Sequence, residues 1–457
     1  MFWCSYYKNE TRIFLLLTVI LSAMLLPAFS LHPALPSLRL DEFVLFSGFG
    51  LYAARFVLDA LRRRERPEPP PGREWLRATA GRLFAALVAS YAVSNLYAVI
   101  FLDAAYTRRD AMELVMYFKY FLIITLVCSI ELTAADRLFL RLTASFALAL
   151  LLVFGWGQHW NLLGLDAWLA PFFNQAHWEH LILGNPARIL GAFDNPNVFG
   201  LFTVLALALL VTHYYFADDK GKFPLLLLAA IGLVIKLEYL TISRTALMGI
   251  AILFALTSAW AWTHFQRNRR VTLKILALFL LTLILFFTSS ADFLSRVAEG
   301  LDFSNSTSLQ GHLARWNTAI GSIWDSPVFG WGTQKTAMTT LVDNEYALYT
   351  RRYGFIGLAA YLAVFLLPLT VALRLLRGRP LGRKKAAAAA FTVAPVERGR
   401  PFTGAQIFLA AYVSVLPSVL LYNFMAGIFY HLQLMTSFCL LMGGVYALGA
   451  RAAARKT

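Results

Sequence analysis

Residues 224–264 read PLLLLAAIGLVIKLEYLTISRTALMGIAILFALTSAWAWTH. In that stretch only Lys236, Glu238 and Arg244 carry a fixed charge. A helix crosses a bilayer core in about 20 apolar residues, so the run is long enough for two crossings, 224–242 and 244–264, joined by a tight turn. The same pattern extends in both directions. Of 457 residues, 59% are hydrophobic and 14% charged, with a mean hydropathy of +0.62. Soluble domains run near 45–50% apolar and about 25% charged. A soluble enzyme, a disordered chain and a nucleic-acid-binding domain are therefore excluded. The chain is expected to be an all-α integral membrane protein forming one polytopic domain over 1–457.

Ten further apolar runs complete a set of about twelve transmembrane helices: 11–30, 41–61, 80–102, 112–131, 138–156, 197–216, 273–290, 354–376, 405–423 and 427–449. The first has too many large apolar residues and too poor a cleavage site for a removable signal peptide. The second is interrupted by Asp41, Arg55 and Asp59. Lys and Arg crowd alternate connecting segments, notably 62–77 and 377–404, and are sparse in the others. Basic residues collect in cytoplasmic loops, so both termini are expected in the cytoplasm. The net charge of +16 is then a topological signal, and no nucleic-acid partner is expected. The two Arg-rich loops read as connectors, one with a Pro67–Pro71 stretch and one with an Ala386–Ala390 run. Their alternative role is contact with anionic lipid heads. Cys4, Cys128 and Cys439 are widely spaced and imply neither a disulfide framework nor a zinc site.

Two outer segments stand out for length, 157–196 and 291–353, the latter between spans nine and ten. Loops this long in a compact bundle are usually functional, which places any chemistry at the outer membrane boundary. Arg188, Arg244 and Arg315 lie on that side, where the topology rule disfavours arginine. Guanidinium is permanently charged and grips phosphate oxygens with two donors. Three of them at a low-dielectric boundary would make a pyrophosphate clamp; the alternative is snorkelling or helix capping. Asn195-Pro196-Asn197 reads as a helix start, with Asn197 a candidate sugar contact. Gly330-Trp331-Gly332 reads as a tight turn with an exposed indole, for the membrane interface or for sugar stacking. Asp343, ahead of Asn344-Glu345-Tyr346, is a candidate general base or a helix cap. Lys236 and Glu238 sit near the outer end of a span, where ionisable groups are functional candidates. His312 is an alternative base. No acidic metal-ligand cluster is seen outside, so neither metal nor other cofactor is expected.

These residues carry a resemblance. Arg188-x2-Gly-x-Phe-x-Asn-Pro-Asn197 is followed by Ser243-Arg244-Thr245 ahead of a long apolar span. A large outer loop then supplies Arg315-x3-Ala, Pro327-x2-Gly-x-Gly, Asp343-Asn344-x-Tyr346 and Gly354-x2-Gly357. In order and placement they resemble the O-antigen polymerase and O-antigen ligase superfamily of bacterial surface-polysaccharide assembly, over roughly 185–360. The resemblance implies an inner-membrane glycosyltransferase with its site on the periplasmic face. Its donor would be an undecaprenyl-pyrophosphate-linked glycan, and its acceptor a glycan or lipid A-core. Arg188, Arg244 and Arg315 would grip the pyrophosphate, with Asp343 as the base. Asn197, Ser243, Lys236, Glu238, His312, Asn344 and Tyr346 would contact substrate. Ligases of the superfamily usually carry His-Asn where this chain has Asp343-Asn344, which inclines the reading towards a polymerase. The alternatives are a ligase, a protein-directed oligosaccharyltransferase, and a polysaccharide or lipid transporter.

Overall fold

A computed structural model describes residues 7–26, 39–61, 73–131, 133–172, 188–193, 195–218, 223–266, 268–301, 307–335, 342–378 and 396–454. Among these residues every regular element is helical. Helices stand at all twelve expected positions: α1 (Asn9–Leu25), α2 (Leu40–Leu61), α3 (Arg73–Phe101), α4 (Arg108–Ser129), α5 (Ala134–His159), α7 (Pro196–Phe216), α8 (Phe223–Thr241), α9 (Arg244–His264), α10 (Arg269–Phe287), α13 (Glu345–Leu376), α14 (Gly404–Tyr422) and α15 (Leu432–Ala454). Ten of them are long and apolar enough to cross a membrane; α1, at 17 residues, and α2 are not in that set. The count of ten is by length and composition and covers the described residues alone; residues 27–30 of the first expected span lie outside them. Three further helices lie in the long connecting segments: the short α6 (Leu165–Leu169), then α11 (Ala291–Leu301) and α12 (Thr307–Ile323).

The apolar pattern explains the packing. Helix α7 is apolar on every face, and 83% of its span window is buried, as an all-round hydrophobic helix must be. It is surrounded by α8, α9 and α14. Helices α5 and α10 lie at the rim, with 17% and 11% of their windows buried. They turn Leu138, Phe146, Phe279 and Ile284 outward, a surface suited to lipid. Cys128 and Cys439 are buried thiols; Cys4 lies outside the described residues.

Consecutive helices alternate between two ends of the bundle. At one end Asn9 bonds the Glu131 carbonyl, Phe402 N–H donates to the Phe216 carbonyl, and Gly399 N–H to that of His264. At the other end, called here the motif end, Ile189 N–H donates to the Leu240 carbonyl and Glu345 N–H to that of Asn423. There the Gln433 amide bridges the carbonyls of Leu26 and Ala192.

Helix α13 is broken where the tenth span was expected to begin. Gly354 has φ 63° and ψ −170°, and a Cβ there would fall 2.0 Å from the Val328 carbonyl oxygen. Only glycine lets the chains approach so closely in the left-handed region. Gly330-Trp331-Gly332 forms the other side of this junction, with Trp331 and Gly332 N–H donating to the carbonyls of Arg351 and Arg352. The indole expected to be exposed is half-buried, its N–H donating to the Ser322 carbonyl at 2.8 Å. That motif locks α12 onto α13. The Pro67–Pro71 and Ala386–Ala390 stretches lie outside the described residues.

Candidate active site

At the start of α7, Asn195 caps the helix by accepting from Asn197 N–H at 2.8 Å, and Pro196 occupies the first turn. The Asn197 side chain is thereby free to accept from Arg188 Nη2 at 2.9 Å. Arg188 Nε donates to the Thr241 carbonyl at 2.7 Å, and Nη2 also reaches that of Ile242 at 3.3 Å. Two N–H groups at Leu190 and Gly191 hang on the Gln158 amide oxygen, which fixes this segment. Ile242 has φ 51°. A β-branched residue in the left-handed region is strained, and such strain gathers at functional sites. Ser243 caps α9 through Ala246 N–H, and Arg244 is the first residue of that helix, half-buried. Arg188 is thus seated on the turn that ends just before Ser243 and Arg244.

Lys236 and Glu238 go separate ways, as positions two apart on a helix must. Lys236 Nζ donates to the Thr288 carbonyl at 3.2 Å. Glu238 is fully buried, and neither carboxylate oxygen has a hydrogen-bond partner among the described residues. Arg188 is the cation whose charge acts on it.

The second group is built on α12 and the approach to α13. His312 and Arg315 share one face of α12. Both reach the same oxygen of Asp343: His312 Nδ1 at 2.9 Å and Arg315 Nη2 at 2.8 Å. The side chains retain 21%, 39% and 30% exposure for His312, Arg315 and Asp343, so a substrate can reach them. Helix capping falls to the next residue: Asn344 accepts from Ala347 N–H at 3.0 Å. Tyr346 donates its hydroxyl to the Leu420 carbonyl at 2.6 Å. An imidazole whose Nδ1–H is held by a carboxylate presents Nε2 as a proton acceptor. Asp343 therefore sits where it can fix the orientation of the His312 ring. The guanidinium on the same oxygen weakens Asp343 as a base in its own right.

Residues 225–362 match the O-antigen ligase family. The match spans less than a third of the chain and supports the O-antigen ligase and polymerase superfamily. A search of curated proteins returns no match. Within the matched segment lie Lys236, Glu238, Ser243, Arg244, His312, Arg315, Asp343, Asn344 and Tyr346; Arg188 and Asn197 precede it.

The two arginine groups stand on different helix pairs, and both border the turn between α14 and α15. Ala192, in the Arg188 segment, accepts from Gln433; Glu345, beside Asp343, accepts from Phe429 N–H and donates to Asn423. Sequence reasoning missed a third ionic group at this end of the bundle. Glu113 of α4 is fully buried and pairs with Lys335 Nζ at 3.2 Å and Arg352 Nη1 at 3.3 Å. It also accepts from the hydroxyls of Tyr353 and Tyr430. An acid within an apolar span was the available signal; its partners, from two distant segments, were not visible. A fourth group, Arg39, Asp41, Glu42 and Lys119, is also buried, with its four charges balanced.

Proposed function

We propose that this protein is a membrane glycosyltransferase that elongates a polysaccharide from lipid-diphosphate-linked oligosaccharide, working on the periplasmic face of the inner membrane. The observation that carries this reading is the His312–Asp343–Arg315 cluster, inside the segment that matches the O-antigen ligase family. The acceptor hydroxyl oxygen attacks the anomeric carbon of the donor sugar and gives its proton to His312 Nε2. The bond from that carbon to the phosphate oxygen breaks, and the electron pair leaves with the undecaprenyl diphosphate. Arg188, Arg244 and Arg315 stabilise the charge that develops on this leaving group, usually the largest catalytic contribution. Asp343 holds the imidazole in the reactive tautomer. Fixed cations meet the need a divalent metal would otherwise meet, so the mechanism is metal-independent. The basic, opposite end of the bundle, carrying the N-terminal helix start, lies in the cytoplasm.

A ligase transferring glycan to lipid A-core is the second reading, favoured by the description of the matching family. His312 gives it a base even though Asp343 occupies the usual histidine position. The glycan profile of a deletion strain separates the two. Single repeats still attached to core mean a polymerase, whereas loss of all attachment means a ligase. An unchanged profile, with purified protein inactive on lipid-linked oligosaccharide, overturns both.

A further inference from the structure

The end of the bundle opposite the motif end holds a cavity of about 770 Å³, lined by Trp260, Leu373, Leu376, Arg377, Val396 and Val413. Pockets that hold small ligands run to about 300–1,000 Å³. The packing explains the opening. Helices α9 and α13 both pack against α14, and the cavity is a cleft with Trp260 from α9, Leu373 and Leu376 from α13, and Val413 from α14. Val396 N–H donates to the Leu376 carbonyl at 3.0 Å, which ties the returning chain to the rim. Trp260 is held in place by Phe216 and Phe402, at 5.4 and 5.9 Å between ring centroids.

The cavity changes character along its length. Val413 lies nine residues past Gly404, the first residue of α14, so the wall reaches about 14 Å into the bundle. Arg377 stands at the other extreme, as the residue that ends α13. It is exposed, and its guanidinium makes no hydrogen bond or ion pair among the described residues. The Trp260 indole N–H has no acceptor among them either. Arg374, one turn earlier on α13, is also exposed. The neighbouring acid, Glu397, is taken by Arg400 at 2.6 Å. The mouth is therefore cationic and the interior apolar. The carbonyl end of α13 repels an anion slightly, so an anion held here depends on the guanidinium. A phosphate at one end and hydrocarbon at the other answer both halves, and basic pockets between membrane helices take anionic lipids in this way.

We propose that this cavity binds one anionic phospholipid of the phosphatidylglycerol type, its phosphate held by Arg377 and an acyl chain lying past Leu373 towards Val413. Helix α9 begins at Arg244 and α13 just after Asp343 and Asn344, so the lipid braces two helices that carry site residues at the far end. The proposal is independent of the glycosyltransferase reading. The test uses delipidated full-length protein in neutral detergent, with thermal unfolding and native mass spectrometry as readouts. Phosphatidylglycerol should raise the unfolding midpoint and remain bound as a single molecule, whereas phosphatidylcholine with the same chains should do neither. Arg377→Gln should bind phosphatidylglycerol about tenfold more weakly, the loss of one charge-assisted contact, and Arg377→Lys should recover part of it. Arg269→Gln, an exposed arginine outside the cavity, should bind as wild type does. Val413→Trp fills the inner end and should abolish the response; Leu373→Trp serves instead if that variant unfolds early without lipid. Equal binding of the two lipids overturns the proposal, as does an Arg377→Gln protein within about twofold of wild type. Undiminished binding in the cavity-filling variant overturns it too. So does a wild-type midpoint raised as far by inorganic phosphate or by undecaprenyl phosphate, since the occupant is then a free anion or the carrier lipid.

Discussion

Replacing Asp343 with asparagine removes one negative charge and leaves the side-chain shape unchanged. In the wild type one carboxylate oxygen serves both His312 Nδ1 at 2.9 Å and Arg315 Nη2 at 2.8 Å. The pairs are partly exposed, so their loss should cost about 1 kcal/mol of stability or less. The effect on chemistry should be far larger. An amide in the orienting position can stabilise the wrong imidazole tautomer, and in serine hydrolases such a change costs about 10⁴ in kcat. A misplaced general base more generally costs about 10²–10⁴-fold, or about 3–5 kcal/mol of barrier. Asp343→Asn should therefore lower turnover by at least about a hundredfold with an almost unchanged unfolding midpoint. The assay is purified protein with lipid-linked oligosaccharide, its products resolved as a polymer ladder, beside thermal unfolding of the same sample. Turnover within threefold of wild type would refute the role given to Asp343. An equal loss accompanied by collapse of the midpoint would refute it too, because the residue would then be structural.

Three other outcomes are expected. Arg188→Lys keeps the cation but cannot span the Thr241 carbonyl and the Asn197 amide. Losing one charge-assisted bond, about 1.5–3 kcal/mol, should slow transfer by roughly 10–100-fold at normal membrane abundance, read from the same ladder. Glu113→Gln leaves Lys335 and Arg352 without their buried counter-charge, which should cost about 3–5 kcal/mol and appear as a clear drop in the unfolding midpoint; a level midpoint would remove Glu113 from the scaffold. Treatment with a chelator should leave turnover within twofold of untreated enzyme, and an inhibition reversed by added magnesium would replace the metal-free mechanism.

Much of the architecture was legible because it follows from local composition. A run of about 20 apolar residues must be a helix in lipid, since every backbone N–H and carbonyl has to be satisfied within the segment. For that reason the helices stand at their expected positions. The turn motifs were legible for the same local reason: Asn195-Pro196-Asn197 opens α7, and Gly354 breaks α13 where the span was expected to begin.

The partners were not legible, because contact between side chains distant in sequence is decided by packing. From the sequence, Asp343 was either a base or a cap. The structure gives the cap to Asn344 and joins Asp343 to two residues of a helix some thirty positions earlier. Trp331 seemed exposed until the close approach at Gly354 turned its indole onto Ser322. Glu113 was a single acid in an apolar run, and only the fold brings Lys335 and Arg352 to it. Arg351 and Arg352 are adjacent and chemically identical in the sequence. Because neighbours on a helix point about 100° apart, Arg352 meets Glu113 and Arg351 takes part in no ion pair among the described residues.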